Sequence, residues 1–425
     1  MTNYKYPLAT DTIDADDFEE LAEWIATCYK YPLATDTIDA DDFKKLAEWI
    51  ATCPRVTMGS LTKQYEEKWS QWLGRKYSVF CNSGSSANHL MYYALLMSER
   101  LKNNKVIVPS AAWATTISPA IQFGFQPIMC EADFETFGLD IRHLEDLLVE
   151  HQPSTVVLVQ TLGVPAKMDA IMALKEKYGF ILLEDACASM GSSYHGRKIG
   201  TFGDMSSVST YFGHQFSTIE GGLVSTDDKE MYNLLLQLRS HGWVKGLDKE
   251  SRSALLKKHG IKDTGTDFVF TVPGFNLRPT DLQAFIGIGQ LDKMEWLIEK
   301  RFNNHLLYKK LLGNKFLTAS VDPNSVVCSI HFCVLASYWV ERQEIMEALE
   351  RNGIETRPFT SGNQGLQPYW FERYGKFNRL NATRLYNCGF FLPNNTSLRK
   401  DDIEFISEVV IEAAESYRLE GSEYD

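Results

Sequence analysis

The stretch 185–222, DACASMGSSYHGRKIGTFGDMSSVSTYFGHQFSTIEGG, constrains the fold of this chain more than any other. It opens on an acid that ends the apolar run Phe180-Ile181-Leu182-Leu183-Glu184, and it closes on Gly221-Gly222. A run bounded in this way reads as a buried strand delivering a carboxylate, Asp185, to its carboxyl end. Further strand-like runs stand at 77–81, 106–109, 126–130 and 155–159, and helical patterns at 61–73, 141–150 and 168–178 alternate with them. Such alternation predicts an α/β protein with a mainly parallel sheet covered on both faces and ligands outside the carboxyl ends of its strands.

The loops at those ends carry the chemistry. After 77–81 the chain reads Asn82-Ser83-Gly84-Ser85-Ser86-Ala87-Asn88 and enters an apolar helix. Strand, small polar loop and helix N-terminus suit a phosphate, because unpaired N–H groups and the helix dipole favour an anion; the same letters also serve as a plain N-cap. Pro109 ends the next strand, and Trp113 in the loop beyond has the area to stack on a flat heterocycle or to fill a core. The run Ser209-Thr210-Tyr211-Phe212-Gly213 ends in a lone imidazole, His214.

The order of Asp185, Ser209, a residue five positions later and Glu220-Gly221-Gly222 resembles the sugar aminotransferase superfamily of pyridoxal phosphate (PLP) enzymes, the DegT/DnrJ/StrS type, which modify nucleotide-linked 4-keto sugars. The similarity runs from about Tyr31 to near the C-terminus. It implies an aspartate aminotransferase-like fold (fold type I), with a large, mainly parallel sheet domain and a smaller C-terminal α/β domain. In most members the residue five after the serine is a lysine that holds PLP as a Schiff base. Here it is His214, the mark of a subgroup of 3-dehydratases, and the resemblance is nearest to those acting on GDP-4-keto-6-deoxymannose.

The resemblance implies a set of roles. Gly84, Ser85, Ser86 and Ser209 would hold the cofactor phosphate, Trp113 would stack on the ring, and Asp185 would keep the pyridine nitrogen protonated, where its bland alternative is a turn cap. Pro273-Gly274-Phe275-Asn276-Leu277-Arg278 resembles a GYNYR segment whose asparagine reaches the partner subunit's cofactor, which implies a homodimer with shared sites. Met58 in Arg55-Val56-Thr57-Met58-Gly59, His241, Arg278 and Arg357 fall at substrate positions; a turn, a helix C-cap and a surface salt bridge are the alternatives for Met58, His241 and Arg357.

An imidazole cannot hold PLP covalently, so PLP or its amine form, PMP, is expected to bind without a covalent tether, while His214 moves protons near neutral pH. The expected reaction is loss of the C3 hydroxyl from a nucleotide-linked 4-keto-6-deoxyhexose, giving a 4-keto-3,6-dideoxy sugar of the kind that supplies colitose to O-antigens, with L-glutamate regenerating PMP. One position departs from the family: Ala188 stands where members carry Gln, or an acid in the dehydratases, leaving Ser189 or water to meet the cofactor's 3'-oxygen.

Around this centre the chain divides into a duplicated N-terminal segment (1–28), an arm and helix (29–59), a large domain (60–281) and a C-terminal domain (282–425). Residues 4–28 and 29–53 are the same 25 letters except that Glu19-Glu20 become Lys44-Lys45; each reads as an extended stretch and then an acid-capped amphipathic helix. The second copy runs into the family-like segment and takes the structural role; the first is a duplication, a tether or an oligomer contact. A helical pattern spans 282–312, a strand 326–336, and 245–266 reads as a surface excursion.

The eight cysteines include no C-x-x-C pair, so buried thiols rather than a metal or iron-sulfur site are expected. A net charge of -12 argues against nucleic acid, the absence of an 18-residue apolar run argues against a membrane span, and the start MTNYKYPLATDT has no leader pattern, so a cytoplasmic protein is expected. Two rivals stay open: an aminotransferase-like enzyme on another sugar, working through Lys198 or Lys245, and a non-catalytic regulator on the same fold.

Overall fold

The computed structural model describes residues 29–262, 268–359 and 362–421; the first repeat copy lies outside them. Strands β1 (Tyr77–Cys81), β2 (Lys105–Pro109), β3 (Gln126–Cys130), β4 (Thr155–Val159) and β5 (Ile181–Asp185) are followed by a short ribbon, β6 (Ser193–Tyr194) and β7 (Arg197–Lys198), and then by β8 (Met205–Ser209) and β9 (Gly222–Thr226). Seven of them form one sheet in the order β1-β9-β8-β5-β4-β2-β3, in which only β9 runs against its neighbours. Helices such as Gly84–Met97 and Met168–Tyr178 make the crossovers that parallel pairing requires, whereas β8 turns back into β9 without one.

Side chains alternate across the pleat, so Leu182 and Leu183 enter separate cores on opposite faces, with Trp69, Leu158 and Val208 on one side and Val108, Val157 and Val224 on the other. Each fully buried side chain of this size contributes about 1.5–3 kcal/mol of transfer free energy. With both faces covered, the strand ends are the surfaces left for chemistry.

The C-terminal part builds a second, antiparallel sheet. Strands β10 (Leu317–Thr318), β12 (His331–Leu335), β13 (Arg357–Pro358) and β14 (Gly389–Pro393) pair in the order β10-β12-β14-β13, while β11 (Ser325–Val326) pairs with β6 and so ties this part to the first sheet. Helices Met294–Leu312, Trp339–Arg351 and Lys400–Gly421 cover it through Tyr308, Ile345, Leu349 and Ile406.

Three sequence expectations need correction. The strand expected over 326–336 is broken into β11 and β12, because the Ser329 and Ile330 carbonyls accept from the Arg301 guanidinium instead of a neighbouring strand. The single helix expected over 282–312 is two, Asp281–Leu291 and Met294–Leu312, with Lys293 at the joint drawn onto Asp39, Asp42 and the Thr37 carbonyl. The excursion at 245–266 contains a helix, Lys249–Lys258, capped by Asp248 onto Ser251.

The second repeat copy is built into the fold. Its helix Ala40–Ala51 starts on an Asp39/Asp42 capping box. Its extended part pairs Tyr31 with Ile354, donates Leu33 N–H to Glu355, and lends the Thr37 hydroxyl to Ser217 N–H, three residues beyond His214. No described helix is long and apolar enough to cross a membrane.

Candidate active site

The carboxyl ends of β1, β5 and β8 and the start of β9 meet at one place. The helix Gly84–Met97 begins directly after β1, with Ser83 as its N-cap accepting from Ser86 N–H. Its first residue leaves no room for a side chain: a Cβ on Gly84 would lie 2.4 Å from Ser209 Cβ and 2.9 Å from Ser209 Oγ. Behind it, a Cβ on Gly222 would lie 2.6 Å from Gly84 N. The Ser209 hydroxyl is thereby pressed against a helix N-terminus whose first N–H groups have no intrahelical acceptors. The loop letters are both an N-cap and an anion cradle.

Asp185, at the last position of β5, is buried but well supplied with donors. Its Oδ2 accepts from Asn88 Nδ2 at 2.8 Å and Thr116 Oγ1 at 2.7 Å, and its Oδ1 accepts from Cys187 N–H at 3.1 Å. Asn88 is itself held by the Ser207 hydroxyl at 2.6 Å. These bonds fix the orientation of the carboxylate and leave Oδ1 with room for one more donor. Asn88 and Thr116 are functional partners that sequence reading missed; nothing in the letters marks them as facing the aspartate.

His214 sits in the β8–β9 turn, its N–H bonded to Tyr211 O at 3.0 Å. The ring is half-buried, with Nδ1 enclosed and without a partner, so Nε2 is its open nitrogen. Burial pushes its pKa down to about 4, while the Asp185 carboxylate acts upward and the Arg301 cation downward. The imidazole is therefore neutral near pH 7 and able to accept a proton. A second imidazole, His331 at the start of β12, stacks on Phe391 at 5.3 Å. Its pKa is driven to about 3, first by burial and then by Arg301, Arg357 and His214. A lone histidine opening the run 331–335 was the only sign of it in the sequence.

The remaining expected residues ring this centre at differing depths. Trp113 caps the helix Ala114–Gln122 and is 59% exposed, which leaves its indole face free to stack. His241, at φ 64°, donates its N–H to Phe275 O, and Leu277 O accepts from Asn82 N–H, so 275–278 runs beside the cradle. Asn276 and Arg278 are exposed and joined side chain to side chain at 2.9 Å. Met58 is half-buried between Thr57, bridged to Thr280, and Gly59, bonded to Asp281.

Arg357 is exposed on β13 and paired with Glu355 at 3.0 Å, yet its charge reaches His331. The Ala188 carbonyl accepts from Gln215 Nε2 at 2.7 Å, and the adjacent Ser189 hydroxyl is fully buried without a partner. The two rival lysines have aromatic neighbours. Lys198 lies over the Trp72 ring and bonds the Trp72 carbonyl at the amino end of β1, and Lys245 stands 5.1 Å above Trp243.

A tight anion cradle, a carboxylate with a spare acceptor, an open aromatic face and a neutral imidazole fit the phosphate, ring nitrogen, ring plane and reacting edge of a PLP-type cofactor. Residues 37–411 match the DegT/DnrJ/EryC1/StrS aminotransferase family. The chain is 33% identical over 362 residues to the GDP-4-keto-6-deoxy-D-mannose 3-dehydratase of Escherichia coli O55:H7, an alignment covering 83% of this chain and 92% of that protein. A solved structure of the E. coli GDP-4-keto-6-deoxy-D-mannose-3-dehydratase with bound hydrated PLP superposes with a TM-score of 0.83 at 32% identity, covering 90% of this chain and 99% of that one. A structure of the 3-dehydratase with a trapped PLP-glutamate geminal diamine gives a TM-score of 0.82 at 32% identity, covering 90% and 100%.

Proposed function

The chain belongs to the DegT/DnrJ/EryC1/StrS aminotransferase family, and from that premise we propose that it is a PLP-dependent nucleotide-sugar 3-dehydratase. It removes the C3 hydroxyl of a nucleotide-linked 4-keto-6-deoxyhexose, with GDP-4-keto-6-deoxymannose as the substrate and a 4-keto-3,6-dideoxy sugar as the product. The observation that carries this reading is the imidazole of His214, five residues after Ser209, in the turn that faces Asp185.

When bound, PLP and its amine form supply an amino group for the C4 keto carbon and a ring that accepts electrons. The N–H groups of Gly84 and Ser85 and the hydroxyls of Ser86 and Ser209 would hold the phosphate, the Ser86 N–H being taken by the N-cap Ser83. Asp185, fixed by Asn88 and Thr116, would keep a proton on the ring nitrogen, and Trp113 would cover one face. The imidazole has no amine to offer, so these contacts alone retain the cofactor. His214 accepts a proton at Nε2 and returns it to the departing C3 oxygen, which leaves as water.

Met58, His241, Arg278 and Arg357 meet the nucleotide sugar, and L-glutamate restores the amine form. Asn276, exposed beside the cradle, serves the partner's phosphate in a homodimer. In this reading 60–281 carry the cofactor, 282–425 form the smaller domain, 29–59 are the arm, and 1–28 are the duplicated segment. The free cysteines among the described residues fit the reducing cytoplasm, where the enzyme works.

The test is incubation of the purified chain with PLP, L-glutamate and GDP-, CDP-, dTDP- and UDP-4-keto-6-deoxy sugars, with products read by mass. Loss of one oxygen from the GDP sugar is expected. An amino sugar would favour the aminotransferase reading, and no product with any sugar the non-catalytic one.

A further inference from the structure

Arg301 is an unusual residue to find where it stands. It lies on the helix Met294–Leu312 and is 2% exposed, and no carboxylate pairs with it among the described residues. Its guanidinium donates only to backbone carbonyls: Nη1 to Asn394 at 2.6 Å, Ser329 at 3.3 Å and Ile330 at 3.4 Å, and Nη2 to His214 at 3.4 Å. Nε has no partner. Burial lowers its pKa, but a guanidinium stays charged in any protein environment at neutral pH. A buried cation without a counter-ion is expensive, and an apolar side chain of similar volume would hold this helix at less cost. Helix packing alone therefore does not account for it.

Two properties of the arrangement do. The same guanidinium joins the His214 turn to the 329–330 backbone and to Asn394, so the catalytic turn is fastened to the C-terminal sheet. Gln215 reinforces the joint by donating to both Ala188 O and Cys328 O, at 2.7 and 2.8 Å. The charge also acts on the imidazole in the opposite sense to the Asp185 carboxylate. The groups facing His214 are Asp185 from β5, Arg301 from its helix, His331 from β12 with Arg357 beyond it, and the Tyr211 ring at 6.3 Å from its own turn. Cys328, beside Arg301, is a neutral thiol because burial pushes its pKa up to about 12. Among these, Asp185 alone favours the protonated imidazole.

We infer that Arg301 is a positioning residue of the dehydration: it clamps the His214 turn against the C-terminal sheet and so holds the imidazole in place. This rests on the reading of His214 as the group that moves the proton. Removing the charge should also raise the His214 midpoint, because the cation opposes protonation of the imidazole.

The test uses the full-length chain labelled with [13Cε1]histidine and titrated by NMR, the His214 signal being identified by its loss in His214→Asn. Arg301→Met is expected to lower kcat at least tenfold with little change in KM, move the His214 midpoint upward, and leave the buried His305 midpoint in place. Arg301→Lys keeps the charge but cannot reach four carbonyls, so it should keep the midpoint and lose only part of kcat. The inference is overturned by wild-type kcat in Arg301→Met, or by a loss of kcat with equal movement of the His214 and His305 midpoints. Should Arg301→Met fail to fold, wild-type kcat in Arg301→Lys overturns it instead. Full dehydration by His214→Asn would sink the reading of His214 itself, whatever Arg301 does to the titration.

Discussion

The cradle makes Gly84→Ala a sharp perturbation, because two known effects oppose each other there. Gly84 opens a helix, and alanine is worth up to about 1 kcal/mol over glycine in helical conformation. Propensity alone therefore predicts a small gain. The added Cβ, however, would lie 2.4 Å from Ser209 Cβ and 3.1 Å from Ser209 Cα, well inside the roughly 3.5–4.0 Å of a relaxed carbon contact. Neither side can yield cheaply, since Ser209 ends a central strand and Gly222 presses on Gly84 N from behind.

Overpacking of this kind costs about 1–3 kcal/mol, so the net effect is destabilising. Relief by displacing the Ser209 hydroxyl would remove the charge-assisted bond proposed to the cofactor phosphate, about 1.5–3 kcal/mol, or roughly a ten- to hundredfold loss of PLP affinity. Urea denaturation and a PLP titration followed by absorbance measure the two parts separately. Ser85→Ala, which removes only a hydroxyl bonded to Thr115, is the mild control. Wild-type PLP affinity together with unchanged stability in Gly84→Ala would refute the convergence of helix, Ser209 and phosphate.

Asp185→Asn keeps the shape that Asn88 and Thr116 grip but loses the charge; PLP should still bind, while turnover falls by roughly a hundredfold or more. His305, 4% exposed, has its pKa lowered to about 4 by burial, so above pH 6.5 it is neutral in both states, and between 6.5 and 4 only the unfolded chain takes up its proton. Stability should therefore fall on acidification through that window by about 3 kcal/mol from this residue, and His305→Gln should show a correspondingly flatter dependence in denaturation at pH 7.5 and 4.5. Deleting 4–28 should leave Tm and turnover unchanged, because Tyr31, Leu33 and Thr37 of the second copy make the contacts with the fold; a large loss in either would give the first copy a structural role.

The parallel sheet was legible because its punctuation is local. The helix Met168–Tyr178 stops where Gly179 takes φ 66°, and β2 stops at Pro109, both readable as letters. Asp185, Ser209 and His214 stood out through the order they share with the family the chain resembles, and the structure places Asp185 and Ser209 at the ends of β5 and β8 with His214 in the turn beyond. What escaped was burial of polar side chains by distant parts of the chain. Arg301, Asn304 and His305 stand in a polar stretch of a helix that reads as solvated, yet all three are buried because the C-terminal sheet closes over that face. Gln290 and Lys293 near the helix break meet Asp42, about 250 positions away along the chain, and no local pattern records such a pairing. Arg301 also splits 326–336 into two strands, so one hidden side chain accounts for both a missed break and a missed site residue.

The most direct measurement is the product formed by His214→Asn beside the wild-type chain, each supplied with PLP, L-glutamate and GDP-4-keto-6-deoxymannose and analysed by mass, with PLP binding checked by absorbance. The account predicts a 3-deoxygenated sugar from the wild type, and PLP retained with that product at least a thousandfold slower from the variant. Deoxygenation by the variant at the wild-type rate, or an amino sugar from the wild type, would contradict it.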